Sequence, residues 1–394
     1  FTMFNKEECL RFIEEENVKF IRLAFFDAFG NQKNIAIQPD ALPKAFEKGI
    51  SFDRFNIKGF DIKGKEDLFL FPDPSTLTIL PWRSMDGAVI RLYCDIKDAN
   101  GNLYCEDTRN LLKEAVMELR SRKLNIDFAT QFEFYLFHMD DNGVSTKTPI
   151  DHGSYMDVFP KDKGENIRRE ICFSLSDMGL EPKASHHEKG PGQNEIDFRK
   201  NDPLQAADDA QTFKWVVRSV ASLHGLEADF SPKPLKDKPG NGVRVQVYLS
   251  EPSKVKSFIA GILVHIEEMT LFFNPCKQSY DRLNHEGAPK FVVCSSILRN
   301  QLIRYPQYRQ DMFECQSLDS TSNPYLSYML LIYAGLDGID SNLDLEQVQK
   351  HYINRTLPSS LKEAMDLASK SDFIKQYVPE SILKTYLNGS DEDF

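Results

Sequence analysis

Apolar and polar residues change their spacing several times along the chain, and each change marks an element. Residues 4–17 carry apolar positions at helical intervals and predict a short helix. VKFIRLAFFD then alternates, AFGNQ supplies a Gly-Asn turn and KNIAIQP alternates again, which is the pattern of a β-hairpin. PDALPKAFEKGI reads as a helix. LFLFPDPSTLTILPW and GAVIRLYCDIKDANGNLYCED read as strands broken by proline and Gly-Asn turns. Roughly the first 105 residues therefore predict a small sheet-rich unit.

The pattern then changes. EDTRNLLKEAVMELRSRKL starts polar, carries apolar residues at i, i+3, i+4 and ends basic, as an amphipathic helix does. NIDFATQFEFYLFHM reads as a strand. Helices are expected at 164–179, 203–224, 253–273 and 325–336, with strands between them, and the chain is helical from about 343. The expectation is an α+β fold with a small N-terminal sheet domain at 1–105 and a large antiparallel-sheet-and-helices domain at 106–394. NGVRVQVYLS alternates most cleanly. Val243, Val245, Val247 and Leu249 take one side, and Arg244, Gln246, Tyr248 and Ser250 the other. Arg244 is then either ordinary surface or a fixed positive charge facing a pocket.

Composition narrows the function classes. The chain has 394 residues, 41% hydrophobic and 27% charged, as an ordinary globular protein does. Acidic residues outnumber basic ones, 59 to 48, for a net charge of −11, which argues against nucleic acid or anionic membrane as a general partner. No apolar run approaches the ~20 residues needed to span a bilayer, and no signal peptide opens the chain. Seven scattered cysteines without a C-x-x-C pair fit reduced thiols in a cytoplasm. No internal repeat, Walker A or G-x-G-x-x-G loop is present.

Three stretches place acids on strand-like segments: Glu133 in QFEFYLF, Glu188 and Glu195 around the Gly-Pro-Gly of SHHEKGPGQNEIDF, and Glu314 in MFECQSLDS. The Gly-Pro-Gly turn can fold the strand back and bring Glu188 and Glu195 together. Carboxylates on neighbouring strands are the oxygen ligands that Mg²⁺ takes, although each one alone is more often the solvent side of a strand. His186 and His187 beside Glu188 point only weakly to zinc, because no second His/Cys cluster has ligand spacing. Arg282, Arg299 and Arg304 are dispersed, and each is suited to a carboxylate or phosphate.

Taken together these stretches resemble the glutamine synthetase family of the prokaryotic type over almost the whole length. GISFD with KGF and DLFLFPDPSTLTILPW resemble its N-terminal β-grasp domain. EFYLF, ASHHEKGPGQNEIDF, ADDAQTFKWVV, HGLEADFSPKPL, SYDRL, IRYP and SNPYLSYMLLIYAGLDGI follow in the family's order. The resemblance implies an ATP-dependent ligase that joins glutamate to ammonia through an acyl phosphate, with Mg²⁺ or Mn²⁺, in a site shared between subunits of a homo-oligomeric ring.

Residue by residue, the resemblance implies that Glu133, Glu188 and Glu195 hold one metal ion and that Asp53 binds and deprotonates ammonium. Gly240 and Arg282 meet the substrate, and Arg299 and Arg304 the nucleotide phosphates, Arg299 also acting in catalysis. The second metal site departs from the family pattern. Gln131 replaces a glutamate and Arg244 a histidine, leaving Glu314, which is then the expected partner of Arg244. Arg244 would thus line the substrate funnel. Lys183, Gln246, Tyr248 and Met312 replace nucleotide-binding residues, and Gln316 a second substrate arginine. The flap RLNHEGAP is one residue short, with Gly287 at the catalytic glutamate and Glu286 beside it as its candidate replacement. The link from strand 243–249 to helix 253–273 is shorter than the family's. The end KTYLNGSDEDF stops before the family's usual extension, which implies weakened pairing of rings. Two readings follow: a ligase, with the family's acid and amine or altered ones, and a catalytically inactive paralogue with a binding or regulatory role.

Overall fold

The computed structural model describes residues 4–60, 66–83, 87–285, 287–298, 301–352 and 354–394. The N-terminal part comprises α1 (Lys6–Glu15), β1 (Phe20–Phe26), β2 (Gln32–Ile37), α2 (Leu42–Lys48), β3 (Ile50–Phe52), β4 (Leu68–Pro72), β5 (Thr78–Ile79) and β6 (Val89–Lys97). Then follow α3 (Thr108–Ser121), β7 (Ile126–Met139), β8 (Ser145–Pro149), α4 (Glu165–Asp177), β9 (Pro182–His187), β10 (Gln193–Phe198), α5 (Pro203–Leu223), β11 (Leu226–Asp229) and β12 (Val243–Leu249). The chain continues through α6 (Val255–Phe273), α7 (Lys277–Leu283), β13 (Cys294–Ser295), β14 (Ile303–Arg304) and β15 (Met312–Cys315). It ends in α8 (Pro324–Asp340), α9 (Leu345–His351), α10 (Leu361–Lys370), α11 (Asp372–Tyr377) and α12 (Glu380–Leu387).

The first six strands form one sheet in the order β2-β1-β6-β4-β3, with β5 beside β6. Its β1–β2 hairpin is the one the alternation predicts. Asp27, fully buried, accepts from the N–H groups of Phe29 and Asn31 and closes the turn, where Gly30 takes φ +84°. The other nine strands form a second sheet in the order β13-β14-β15-β12-β7-β10-β9, with β8 and β11 also on β7. It is antiparallel except for β13–β14.

The alternation of β12 is realised in full. Val243, Val245, Val247 and Leu249 are buried, and Arg244, Gln246 and Tyr248 are only partly so. The buried side of the second sheet carries helices. Phe128 meets Tyr328 of α8, Phe132 meets Phe213 of α5, and Phe313 meets Phe258 of α6. Close approach of α6 and α8 depends on glycine, since a Cβ on Gly261 would lie 2.0 Å from the carbonyl of Ala334. With one side sealed by helices, the polar side of β12, β7 and β10 is left to build a site.

Arg109 on α3 ties the first sheet to α5. It is 1% exposed, and its guanidinium donates to both oxygens of Asp208 (2.9 and 2.8 Å), to Asp95 (3.1 Å) and to Asp73 (3.1 Å). Asp73 and Asp95 belong to the N-terminal part and Asp208 to α5. Removing one partner of such a buried cluster typically costs ~3–5 kcal/mol, because the remaining charges stay desolvated. Arg109→Met is therefore expected to lower the unfolding free energy by about that much in denaturant titration. A loss within the ~0–1 kcal/mol of an exposed pair would contradict this. Burial opposes the ionisation of Asp73, but Arg109 and Lys113 hold it down at about 2. Its contribution to stability is thus complete above the unfolded-state value near ~4 and is lost as pH falls toward 2.

Candidate active site

The register of the second sheet sets the site. Glu195 on β10 lies directly opposite Glu133 on β7, and His186 on β9 directly opposite Glu195. One rung along, Arg244 on β12 faces Gln131, which faces Asp197. The β9–β10 turn brings Glu188 back, its N–H donating to the carbonyl of Gln193 at 2.8 Å. That turn requires glycine. A Cβ on Gly190 would lie 2.0 Å from the Tyr135 hydroxyl, and Gly192 has φ +66°. The sequence-level expectation that the Gly-Pro-Gly turn gathers the two carboxylates is thus realised.

Two buried carboxylates, Glu188 and Glu195, and half-buried Glu133 meet at this point, with one guanidinium among them. Arg244 Nη2 is 3.5 Å from Glu133 Oε1, and its Nη1 is 3.5 Å from Glu195 Oε2. Burial opposes the charge of Arg244, but Glu133 and Glu195 hold it above its ordinary value. Burial, eased by Arg244 and reinforced by Glu133, Asp197 and Glu188, pushes Glu195 up to about 9. Burial also raises Glu133, against the pull of Arg244. Glu188 lies below its usual range. Burial works against this, but His186 Nε2 at 3.2 Å and the Lys189 N–H at 2.9 Å win.

The expected pairing of Arg244 with Glu314 is not what forms. Glu314 lies opposite Gln246 and Arg304, accepting from Gln246 Nε2 at 2.9 Å and from Arg304 Nη1 at 3.1 Å. The reason is register: the β12 residue opposite Glu314 is Gln246, not Arg244. Gln246 in turn accepts from the Tyr248 hydroxyl at 2.9 Å. A continuous chain Arg304–Glu314–Gln246–Tyr248 thus closes that end of the strip, and Arg304 is engaged within it.

A cavity of about 140 Å³ opens beside the carboxylates, lined among others by Glu133, Glu188, Gly240, Arg244, Arg282 and Gln316. Gly240 has no room for a side chain, since a Cβ there would be 2.4 Å from the Pro232 carbonyl and 2.7 Å from Arg282 Cγ. Arg282 is buried. Its Nη2 donates to Asn274 Oδ1 (2.9 Å) and the Ser317 carbonyl (2.7 Å), while Nε is buried without a partner among the described residues. Asp53 lies elsewhere, exposed at a turn after β3, where its carboxylate accepts from the Phe55 N–H and Asn56 Nδ2. Glu286 and Arg299 lie outside the described residues. Lys183 is exposed and Met312 is buried in β15.

Comparison with known proteins decides the family. A glutamine synthetase catalytic-domain model matches residues 105–394, and a glutamine synthetase beta-Grasp domain model matches 17–99. A glutamine synthetase from Methanosarcina mazei is 37% identical, with 97% of this chain and 92% of that protein covered. One from Clostridium saccharobutylicum is 36% identical, with 98% and 94% covered. The chain belongs to the glutamine synthetase family. Its fold is also that of solved GmaS structures. An ADP complex has a TM-score of 0.85 at 24% identity, covering 96% of this chain and 94% of that one.

Against this glutamine synthetase fold, the one metal site that the resemblance implies and the altered second set fare differently. Ligand atoms of His186, Glu188 and Glu195 lie within 4.8 Å of one another, with Glu133 opposite Glu195. Glu195 Oε2 is buried and lacks a hydrogen-bond partner among the described residues, and Arg244 stays 3.5 Å from it. This cluster is short of positive charge and fits one hard divalent cation. The altered second set does not fit a metal. Gln131 Nε2 donates to Asp197 at 2.8 Å, Arg244 presents donors only, and Glu314 is taken.

His186 at this cluster is a residue that sequence reasoning weighed only for zinc. Adjacent His187 points the other way, as strand period dictates. Its Nε2 is 2.9 Å from buried Asp151 and its Nδ1 is 2.6 Å from the Glu188 carbonyl, so it braces the Glu188 backbone.

Arg244 is 38% exposed at its side chain, so its pairs are discounted below fully buried ones. Arg244→Met is expected to cost ~1–3 kcal/mol in metal-free buffer, between exposed and buried pairs. The variant, left with a more anionic cluster, is expected to gain more thermal stability from Mg²⁺ than the parent does. Equal melting of parent and variant, with and without Mg²⁺, would make Arg244 a bystander.

Proposed function

We propose that this protein is a carboxylate–amine ligase of the glutamine synthetase type that works with one divalent cation, Arg244 standing in for the second. The observation that carries the proposal is the Arg244 guanidinium set between Glu133 and Glu195, beside a cavity reached by Arg282. A Mg²⁺ or Mn²⁺ ion on Glu133, Glu188 and Glu195 would supply charge neutralisation for phosphate oxygens. Arg282, fixed by Asn274 and Ser317, would hold the carboxylate of a small acid against Gly240. Arg244 would add a second fixed positive charge where the acid's reacting carboxylate takes the terminal phosphate of ATP to give an acyl phosphate.

The amine would then displace phosphate, its proton passing to Asp53. Asp53 does not line the cavity beside Arg282, so it would serve the cavity of a neighbouring subunit. A contact between two different surfaces of the same chain closes into a ring, and that homo-oligomer is part of the proposal. So is the division into a 1–105 domain that offers Asp53 and a 106–394 domain that holds the cavity. Glu286 on the flap would shield the intermediate. Arg299 and Arg304 would hold the nucleotide phosphates, and Arg304 would first have to leave Glu314.

The chain Arg304–Glu314–Gln246–Tyr248 favours a second reading, in which the nucleotide strip stays closed and the protein is a non-catalytic paralogue with a binding or regulatory role. Phosphate release from ATP distinguishes them, measured with Mg²⁺ or Mn²⁺, glutamate and ammonium, and then with a panel of small acids and amines. The ligase reading expects release that depends on both acid and amine and falls by ~100-fold or more in Arg282→Ala, a loss of the size expected when substrate positioning fails. Absence of release with every pair, together with no binding of Mg²⁺-ATP, would replace it with the second reading.

A further inference from the structure

A cavity of about 510 Å³, separate from the one beside Glu133, lies between the β1–β2 turn, α5, β11 and residues 320–321. Its volume is in the range of small-molecule sites. Lys214 and Arg218 line it, one helical turn apart on α5, where like charges repel. Among the described residues neither forms an ion pair. Two acids of the cavity wall are committed: Lys147 reaches Glu227 at 3.2 Å and Asp229 at 2.8 Å, and the other Asp229 oxygen accepts from Ser231, whereas buried Asp319 nearby keeps Oδ2 without a hydrogen-bond partner among the described residues. Lys214 Nζ donates to the Ser320 carbonyl at 3.2 Å. Burial and the neighbouring Arg218 push Lys214 down to about 7, with Asp319 a weaker counterweight.

A second observation points to a ligand. Ser320 lines the same cavity and is 5% exposed, yet among the described residues its Oγ has no hydrogen-bond partner. A buried hydroxyl without a partner is costly, and a hydroxyl beside two cations is a ready donor to an anion. The remaining wall is mixed: Trp215, Phe230 under the Arg218 guanidinium at 5.3 Å and Phe29 give it an apolar part, beside polar Gln32 and Gln211.

We propose that this cavity binds a small organic oxyanion with a flat apolar group, its acidic head on Lys214, Arg218 and Ser320 Oγ and its body against Trp215. A carboxylate and a phosphate monoester share this chemistry, and two probes separate them: benzoate and phenyl phosphate. Each is titrated into the full chain at constant ionic strength, followed by calorimetry and by tryptophan emission. The chain has 2 tryptophans, and Trp215 packs edge-on against Trp82 at 5.2 Å, so emission reports on this wall.

Saturable binding of at least one probe is expected, with a change in emission, and the better probe names the head group. Lys214→Gln keeps a donor for the Ser320 carbonyl and is expected to weaken binding at least tenfold. Arg218→Gln, at an exposed position, is expected to weaken it several-fold and decides the matter should Lys214→Gln not fold. No saturable binding of either probe would overturn the proposal. So would binding that these variants leave unchanged, which would place the anion on Arg282 and Arg244 instead.

Discussion

Glu133 and Glu195 face each other across neighbouring strands, both withdrawn from water, and the cost of holding two like charges there organises the rest of the site. The register of β7 and β10 leaves them no means of moving apart. Either protons or cations must lower the charge, and burial already pushes Glu195 up to about 9. Arg244 supplies one permanent cation from the next strand. A guanidinium is planar, singly charged and a donor only, so it reaches both acids at 3.5 Å without satisfying every oxygen. The orphaned Glu195 Oε2 is the measure of what it leaves undone, and it is why a divalent ion still fits beside Glu188 and His186.

The same guanidinium changes the neighbouring rung. With Arg244 present, Gln131 turns to Asp197 and Glu314 is left to Arg304 and Gln246. The strip therefore has two characters. At Glu133 it is charged, undercompensated and open to a cavity. At Tyr248 it is a closed run of hydrogen bonds. All of this rests on a scaffold that is rigid for separate reasons: valines of β12 sealed against helices, and Arg109 joining the N-terminal part to α5 through three aspartates.

The sequence displayed the scaffold well, because a strand with one sealed face must alternate and a tight turn must carry glycine. The alternation of residues 243–249, the Gly-Asn hairpin and the return of the chain at Gly-Pro-Gly were all readable for that reason. Family resemblance then selected Glu133, Glu188, Glu195, Gly240 and Arg282, which line or adjoin one cavity. The partner of Arg244 was not readable. It depends on which residues share a rung, and β14 and β15, at Ile303–Arg304 and Met312–Cys315, are too short to show a period. Position in the family pointed to Glu314, whereas geometry gives Arg244 the acids of β7 and, one strand further, β10. Lys214 and Ser320 were equally silent, since a lone lysine on an amphipathic helix and a serine in a loop carry no pattern. Only their placement around one cavity distinguishes them.

The central claim is that an arginine occupies the place of one cation and leaves room for one other. Counting divalent ions tests it most directly, by Mn²⁺ binding to the assembled protein with nucleotide present. Parent protein is compared with the double variant Gln131→Glu, Arg244→His, which restores an acid and an imidazole beside Glu314. The account predicts one tight ion per subunit in the parent and two in the double variant. Two tight ions in the parent would contradict it.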